Sequence, residues 1–580
     1  MSIEQPITTS VATLTADGVT ARNERARAHA LQHAVKTDNL IPATVSYQSQ
    51  GRLLLVGPED RIRRAASLLP TGVKPTLLVT EAVHDAEAAD LEAIFDATAS
   101  LAALTLREPS LTGYLGQFQL TGLNGQGERV DLAALCFSQQ ATVGSEPRFD
   151  LVADLGRVPL FALERPPVGY LHLFDDADLA ERLAGQLAEL CALTGIFDKP
   201  RYFRLDPEAC AFTARGVPGC SRCLDVCPTD ALKPINGRIQ IDPHLCQGFG
   251  SCASACPTGA IAYHQPDANT SGDYLFRLLK HYREAGGDGP RLLIAADNER
   301  EWVEAELAAL PANWLPVWVE ESASLGIESW LAALAYGASA VRIALGDDAP
   351  ESVRALVERE LASAAVLLAG AGLSADRIAL FNPDAELDKP IFGQPAAALL
   401  DKPLKGDKRE NLFAVFDALW QANNCGREPL AVPHGAPYGS VELKEADCTL
   451  CMGCVAVCPS RALHAVGHAP GLNFIEQDCI QCGMCEKACP EQAIVLMPRL
   501  QPVPEARRAV QSLKAEEAAC CIRCGKPFAP VSLIRRIQQK LAGHSHFQNE
   551  AAQRLLMCED CRVKDVFAAL AADPVSQLKV

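Results

Sequence analysis

Two stretches of this chain read Cys448-x2-Cys451-x2-Cys454-x3-Cys458-Pro459 and Cys479-x2-Cys482-x2-Cys485-x3-Cys489-Pro490. A thiol at every third residue makes the backbone wrap one small object, and the closing proline turns the chain away. This is the bacterial-type run for cubane iron–sulfur clusters. The closing phrase occurs four times, as CPTDAL from Cys227, CPTGAI from Cys256, CPSRAL from Cys458 and CPEQAI from Cys489. Within each of two regions the copies lie 29 or 31 positions apart. Such duplication predicts two modules, each with pseudo-two-fold halves and a cluster site at either end.

The first region departs from the pattern twice. Its first run is Cys210-x9-Cys220-x2-Cys223-x3-Cys227-Pro228, in which AFTARGVPG is an insertion rich in turn formers. A flexible loop there still delivers Cys210. Its second run is Cys246-x2-Phe249-x2-Cys252-x3-Cys256-Pro257. Phe249 stands where the pattern has a cysteine, and a phenyl ring cannot ligate iron. Between the two runs, PINGRIQI carries Asn236-Gly237, a two-residue hairpin signal.

A third group ends the chain: Cys520, Cys521-x2-Cys524 and Cys558-x2-Cys561. Two C-x2-C pairs separated by a helical stretch read as a zinc ribbon or knuckle, with Cys521, Cys524, Cys558 and Cys561 as ligands and Cys520 spare. Gly525 falls where such a knuckle turns. His544 and His546 lie between the pairs as substitute ligands. The isolated Cys136, Cys191 and Cys425 read as small apolar core residues.

All 23 cysteines sit in a chain of 580 residues, long enough to bury large cores without disulfides. Cysteines bunched at short spacing in such a chain argue for metal. The N-terminus lacks a basic stretch followed by an apolar core, and no run of about 18 apolar residues occurs, so neither secretion nor a membrane span is expected. Both point to a reducing cytoplasm. A net charge of −18 disfavours nucleic acid as a partner. No serine triad, P-loop or full dinucleotide fingerprint is present; LAGAGLS (368–374) reads as an ordinary turn after a strand.

The expected fold class is α/β multidomain. A tail with a helix near Ala21–Lys36 occupies 1–50, an α/β domain 51–200 and ferredoxin-like module A 201–270. A second α/β domain, flavodoxin-like with a parallel sheet, occupies 271–385, where LLIAAD, VRIALG, AVLLAGAG and RIALF read as strands. A linker with a helix at Asn411–Gln421 fills 386–446. Module B occupies 447–500, and a helical zinc-ribbon-like segment 501–580.

Cys448–Cys489 resembles the two-cluster bacterial ferredoxins at every ligand position. In that family the fourth cysteine of a run crosses to the other cluster. The resemblance implies one 4Fe–4S cluster on Cys448, Cys451, Cys454 and Cys489, and another on Cys479, Cys482, Cys485 and Cys458. In module A it implies a third on Cys210, Cys220, Cys223 and Cys256. Cys246, Cys252 and Cys227 are left for a 3Fe–4S or incompletely ligated 4Fe–4S cluster.

DLVADLGRVPLFALERPPVGYL, CAFTARGVPGCSRCLDVCPTDAL, the block from PVWVEESASLG to SAVRIAL, and CIRCGKPF with MCEDCRVKDVF resemble proteobacterial multi-cluster 4Fe–4S binding proteins. That resemblance implies a redox partner connected with formate dehydrogenase. Residues 290–385 are also similar to iron–sulfur delta subunits of hydrogenase and heterodisulfide reductase complexes. Those carry cysteines there, and this chain has none between Cys256 and Cys425, so the block is expected to serve as scaffold or docking surface. The leading expectation is an electron carrier without its own substrate site. The alternatives are an assembly factor for a molybdenum- or tungsten-dependent formate dehydrogenase and, because the CC…CxxC group resembles their modules, a heterodisulfide-reductase-type component.

Overall fold

The computed structural model describes residues 16–36, 43–82, 89–101, 103–137, 147–174, 179–387, 399–423, 425–467, 469–544, 547 and 550–572. It is a mixed α/β chain with several separate sheets. The first has five parallel strands: β1 (Leu53–Pro58), β2 (Thr76–Glu81), β3 (Ala103–Thr105), β4 (Leu151–Asp154) and β5 (Tyr170–His172). Their order is β3-β2-β1-β4-β5. Leu53 and Leu55 of β1 face one core and Leu54 and Val56 the other, which is why LLLVG is an unbroken apolar run.

Module A follows. Phe203–Leu205 pairs antiparallel with Ile261–Tyr263, and Leu232–Ile235 forms a hairpin with Arg238–Ile241. Asn236 and Gly237 hold φ of 50° and 73°, as a two-residue hairpin turn requires. The insertion before Cys220 is not a loose loop. It forms its own hairpin, β6 (Thr213–Ala214) and β7 (Val217–Pro218), around Arg215 and Gly216 at φ 50° and 79°. Module B repeats the plan: Gly439–Leu443 pairs with Ile494–Pro498, and Leu463–Ala465 with Gly471–Phe474.

The second α/β unit lies between the modules in sequence. Its strands β8 (Arg291–Ala296), β9 (Trp314–Val319), β10 (Ala340–Ile343) and β11 (Ile378–Leu380) are parallel, in order β9-β8-β10-β11. Helices α1 (Ala16–His33), α2 (Ala268–Glu284), α3 (Ile327–Ala335), α4 (Glu351–Gly370) and α5 (Lys408–Asn423) belong with it. The tail helix α1 buries Ala26 and Ala30 in the same core as α5, which contributes Leu412, Phe413, Phe416 and Leu419 at helical spacing. The stretch 386–446 therefore supplies part of a domain core rather than only a link.

AVLLAGAG is not a strand. It forms the last turns of α4, whose Leu356, Val357, Ala364, Leu367 and Leu368 are buried. A short apolar run does not separate helix from strand by period alone. LAGAGLS accordingly ends a helix, with Gly372 at φ 69° supplying the left-handed turn.

In open parallel sheets the crevice beyond the strand ends is where ligands bind. Here module A covers part of it. Gly250 runs so close to Ser324 that a Cβ would lie 2.5 Å from its Cα, and the Ser254 hydroxyl donates to the Ala323 carbonyl at 2.6 Å. Among the described residues, no helix is long and apolar enough to cross a membrane.

Candidate metal centres

The four Cys-Pro phrases share one backbone signature. Three residues after each cysteine, Asp230, Gly259, Arg461 and Gln492 hold φ of 52°, 70°, 59° and 50°. Three of these are not glycine, and the left-handed region costs an L-residue on the order of 1 kcal/mol. The surroundings hold that bend because it carries the chain away from the wrapped site. Helices Ser251–Ala255, Gly453–Val457 and Met484–Ala488 carry Cys252, Cys454 and Cys485, and end on Cys256, Cys458 and Cys489 as C-caps.

A second signature surrounds the middle cysteine of each full run. Leu450 and Met452 flank Cys451 at φ 52° and 60°, and Gln481 and Gly483 flank Cys482 at 54° and 78°. Gly248 and Gly250 flank Phe249 at 87° and 77°. Phe249 thus sits on the same loop as its cysteine counterparts.

Three of these wraps line small, partly open pockets of matching size. Cys448, Cys451, Cys454 and Cys489 line one. Cys458, Cys479, Cys482 and Cys485 line a second. Cys227, Cys246 and Cys252 line a third, with Phe249 in its wall. The space at the Phe249 site has not closed. Cys223 and Cys256 are buried in one cluster with Cys210 packed against it, and Cys256 lies near enough to Cys210, Cys220 and Cys223 to raise their thiols.

Burial pushes the most enclosed of these thiols up, and their sulfur neighbours push further. Cys223 and Cys454 reach about 12, and Cys246 and Cys482 about 11. Cys252 and Cys485 are driven upward by the same causes. Left alone, such thiols keep their protons. Iron held in their midst would supply the positive charge that makes them thiolates. The donor sets fit iron–sulfur clusters.

Several donors approach the sulfurs. The Leu450 and Ala493 amides donate to Cys448 and Cys489 Sγ at 3.4 and 3.2 Å, and the Gln481 side-chain amide donates to Cys479 Sγ at 3.3 Å. The hydroxyls of Thr229, Thr258 and Ser460 lie 3.5, 3.6 and 3.8 Å from the sulfurs of Cys227, Cys256 and Cys458. Hydrogen bonds to sulfur raise cluster potentials. Sequence reasoning passed over these hydroxyls, although the repeated CPT and CPS phrases carried the signal. Glu491 takes the corresponding place after Cys489.

Two further residues had no signal in one sequence. Lys408 donates to the carbonyls of Ala253 and Ser254 in module A at 2.7 and 2.6 Å. Its neighbour Arg409 donates to the carbonyls of Gln477 and Cys479 in module B at 2.7 and 2.6 Å.

Near the C-terminus, the sulfurs of Cys521, Cys524, Cys558 and Cys561 lie within 4.8 Å of one another. Against the upward push of burial, backbone amides at Cys558, Cys524 and Arg523 bring the Cys521 thiol down to about 6. Gly525 turns the chain at φ 74°. This group could bind a metal. Exposed Cys520 stands outside it, on the short strand Ala518–Cys520. The isolated Cys136, Cys191 and Cys425 are half-buried. His544 is not among the grouped ligands, and His546 lies outside the described residues.

A family model described as a 4Fe-4S dicluster domain matches residues 218–260, and another of the same description matches 447–494. The chain carries two 4Fe–4S dicluster domains. The first match begins just before Cys220, so most of the insertion lies outside it. Among curated proteins, Hydrogenase-4 component A of Escherichia coli (strain K12) is 33% identical over 69 residues, 12% of this chain and 34% of the relative. Ferredoxin 7Fe of Hydrogenibacillus schlegelii is 40% identical over 43 residues, 7% of this chain and 54% of the relative. The matched stretches thus span between a third and about half of those relatives' lengths. The two cysteine-rich segments are therefore 4Fe–4S dicluster domains within a longer chain.

Proposed function

We propose that the protein relays single electrons between redox partner proteins through four cluster sites, with formate dehydrogenase as the enzyme at one end. The observation that carries this reading is the repetition of one wrapped geometry. The same left-handed bend closes all four Cys-Pro phrases. Three sites would hold 4Fe–4S clusters, on Cys210, Cys220, Cys223 and Cys256, on Cys458, Cys479, Cys482 and Cys485, and on Cys448, Cys451, Cys454 and Cys489. Cys227, Cys246 and Cys252 would hold the fourth with three thiolates, and the cavity preserved beside Phe249 supports this. One relative's name counts seven irons, one fewer than two cubanes contain. The clusters supply one-electron chemistry; the chain's own residues fix, bury and hydrogen-bond the sulfurs. The formate dehydrogenase connection rests on sequence resemblance.

The test is reversible reduction. The protein is expected to bleach under a low-potential reductant and recover on reoxidation with its iron unchanged over repeated cycles. Loss of iron to apo-formate dehydrogenase, without reversible redox, would instead make it an assembly factor.

The C-terminal Cys521, Cys524, Cys558 and Cys561 would hold zinc, since their four sulfurs lie within 4.8 Å of one another and four cysteines are a common structural zinc set. Cys558→Ala is expected to lose the zinc. Cys520→Ala is expected to leave zinc and redox behaviour unchanged. Redox activity abolished by Cys520→Ala would favour a heterodisulfide-reductase-type site.

A further inference from the structure

The two modules touch at their cysteine loops. Ala211 from the insertion packs with Val457, Ile480 and Met484 of module B, and Cys220 and Cys482 lie against this same small cluster. Gly219 passes so near that a Cβ there would run into the Met484 methyl group and lie 2.6 Å from the Ala211 carbonyl oxygen. Lys487 donates to the Pro218 carbonyl across the boundary at 3.0 Å. The hairpin β6–β7, the part of module A that departs from the ferredoxin spacing, makes this contact. A second device acts independently: adjacent residues of α5, Lys408 and Arg409, grip one module each.

We propose that the insertion hairpin and α5 dock the modules so that Cys220 and Cys482 form the electron crossing between them, joining four sites into one line. The proposal rests on the reading of these sites as iron–sulfur clusters. Within module A, Cys223, Cys246, Cys252 and Cys256 share one buried cluster, with Cys210 and Cys227 packed against it. Within module B, Cys479 and Cys485 of one site share a buried cluster with Cys454 of the next, and Cys448 and Cys458 pack against it. The line then ends at Cys451, which is exposed, and a one-electron protein partner meets the chain there. At the crossing one electron moves from the reduced side to the oxidised side. No bond forms or breaks, and no proton is taken up.

The inserted segment therefore has a task that a shorter run could not perform. A two-residue spacer between Cys210 and Cys220 would close the wrap and leave nothing to reach Met484.

Gly219→Val and Val217→Asp test this in the full chain. Gly219→Val drives a side chain into Met484. Val217→Asp places a carboxylate in an apolar contact while sitting three residues from the nearest cysteine, so it serves if the first variant disturbs a site. Iron content and the EPR spectrum of the fully reduced protein are measured together. The wild type is expected to show spin–spin splitting across the boundary. A variant with wild-type iron is expected to lose that splitting. Full iron with superimposable spectra overturns the crossing alone. Iron confined to one module in the wild type overturns the reading beneath it.

Discussion

Phe249→Cys is expected to add about one iron per chain and to abolish a 3Fe-type EPR signal in the oxidised protein. Gly248 and Gly250 already hold the left-handed conformations that flank Cys451 and Cys482, so a thiol at 249 points where those thiols point. The pocket beside it matches in size the pockets at the two four-cysteine sites. Phe249 is half-buried, and the Arg165 guanidinium lies 6.0 Å from its ring centroid. The substitution thus gives up modest packing and supplies the missing ligand. Iron content and oxidised spectrum indistinguishable from the wild type would contradict the three-thiolate assignment.

The second large effect lies away from any sulfur. Asp417→Ala is expected to lower stability by about 3–5 kcal/mol, the usual cost of stranding a buried charge. Asp417 of α5 accepts from both Arg507 and Arg508, on the segment that follows module B. The Arg507 side chain is 1% exposed and lies over the Phe413 ring, 4.4 Å from its centroid. Burial pushes its pKa down while Asp417 pulls it back up. Without the carboxylate, a buried guanidinium keeps only neutral acceptors, the Gln477 side chain and the Gln501 and Pro502 carbonyls, and module B loses an anchor to the α/β core. Denaturant midpoint and iron release should shift together. Asp417→Asn, which keeps an acceptor, should lose less. A loss below about 1 kcal/mol for Asp417→Ala, as for an exposed pair, would contradict this.

What could be read from the chain was what depends on near neighbours. Wrapping at the third residue, the Asn236-Gly237 turn and the buried runs of β1 and β2 are local properties, and the spacing carries them. In module B, Cys489 and Cys458 each line a pocket with the cysteines of the sister repeat, a pairing within short reach along the chain. What was not legible depends on distant contacts. AVLLAGAG joined a helix because α4 needed an apolar face against its core. AFTARGVPG looked like slack, since nothing in a single sequence indicates that Met484 waits opposite Gly219. Lys408 and Arg409 bind backbone carbonyls, and carbonyls leave no trace in the residue types around them.

Iron, sulfide and zinc content of anaerobically purified protein, joined to EPR as isolated and after reduction, tests the central claim most directly. The four-site relay predicts about fifteen irons and one zinc per chain, with a 3Fe-type signal in the oxidised sample. About eight irons, all in module B, would contradict it and leave module A as a scaffold whose wraps hold nothing.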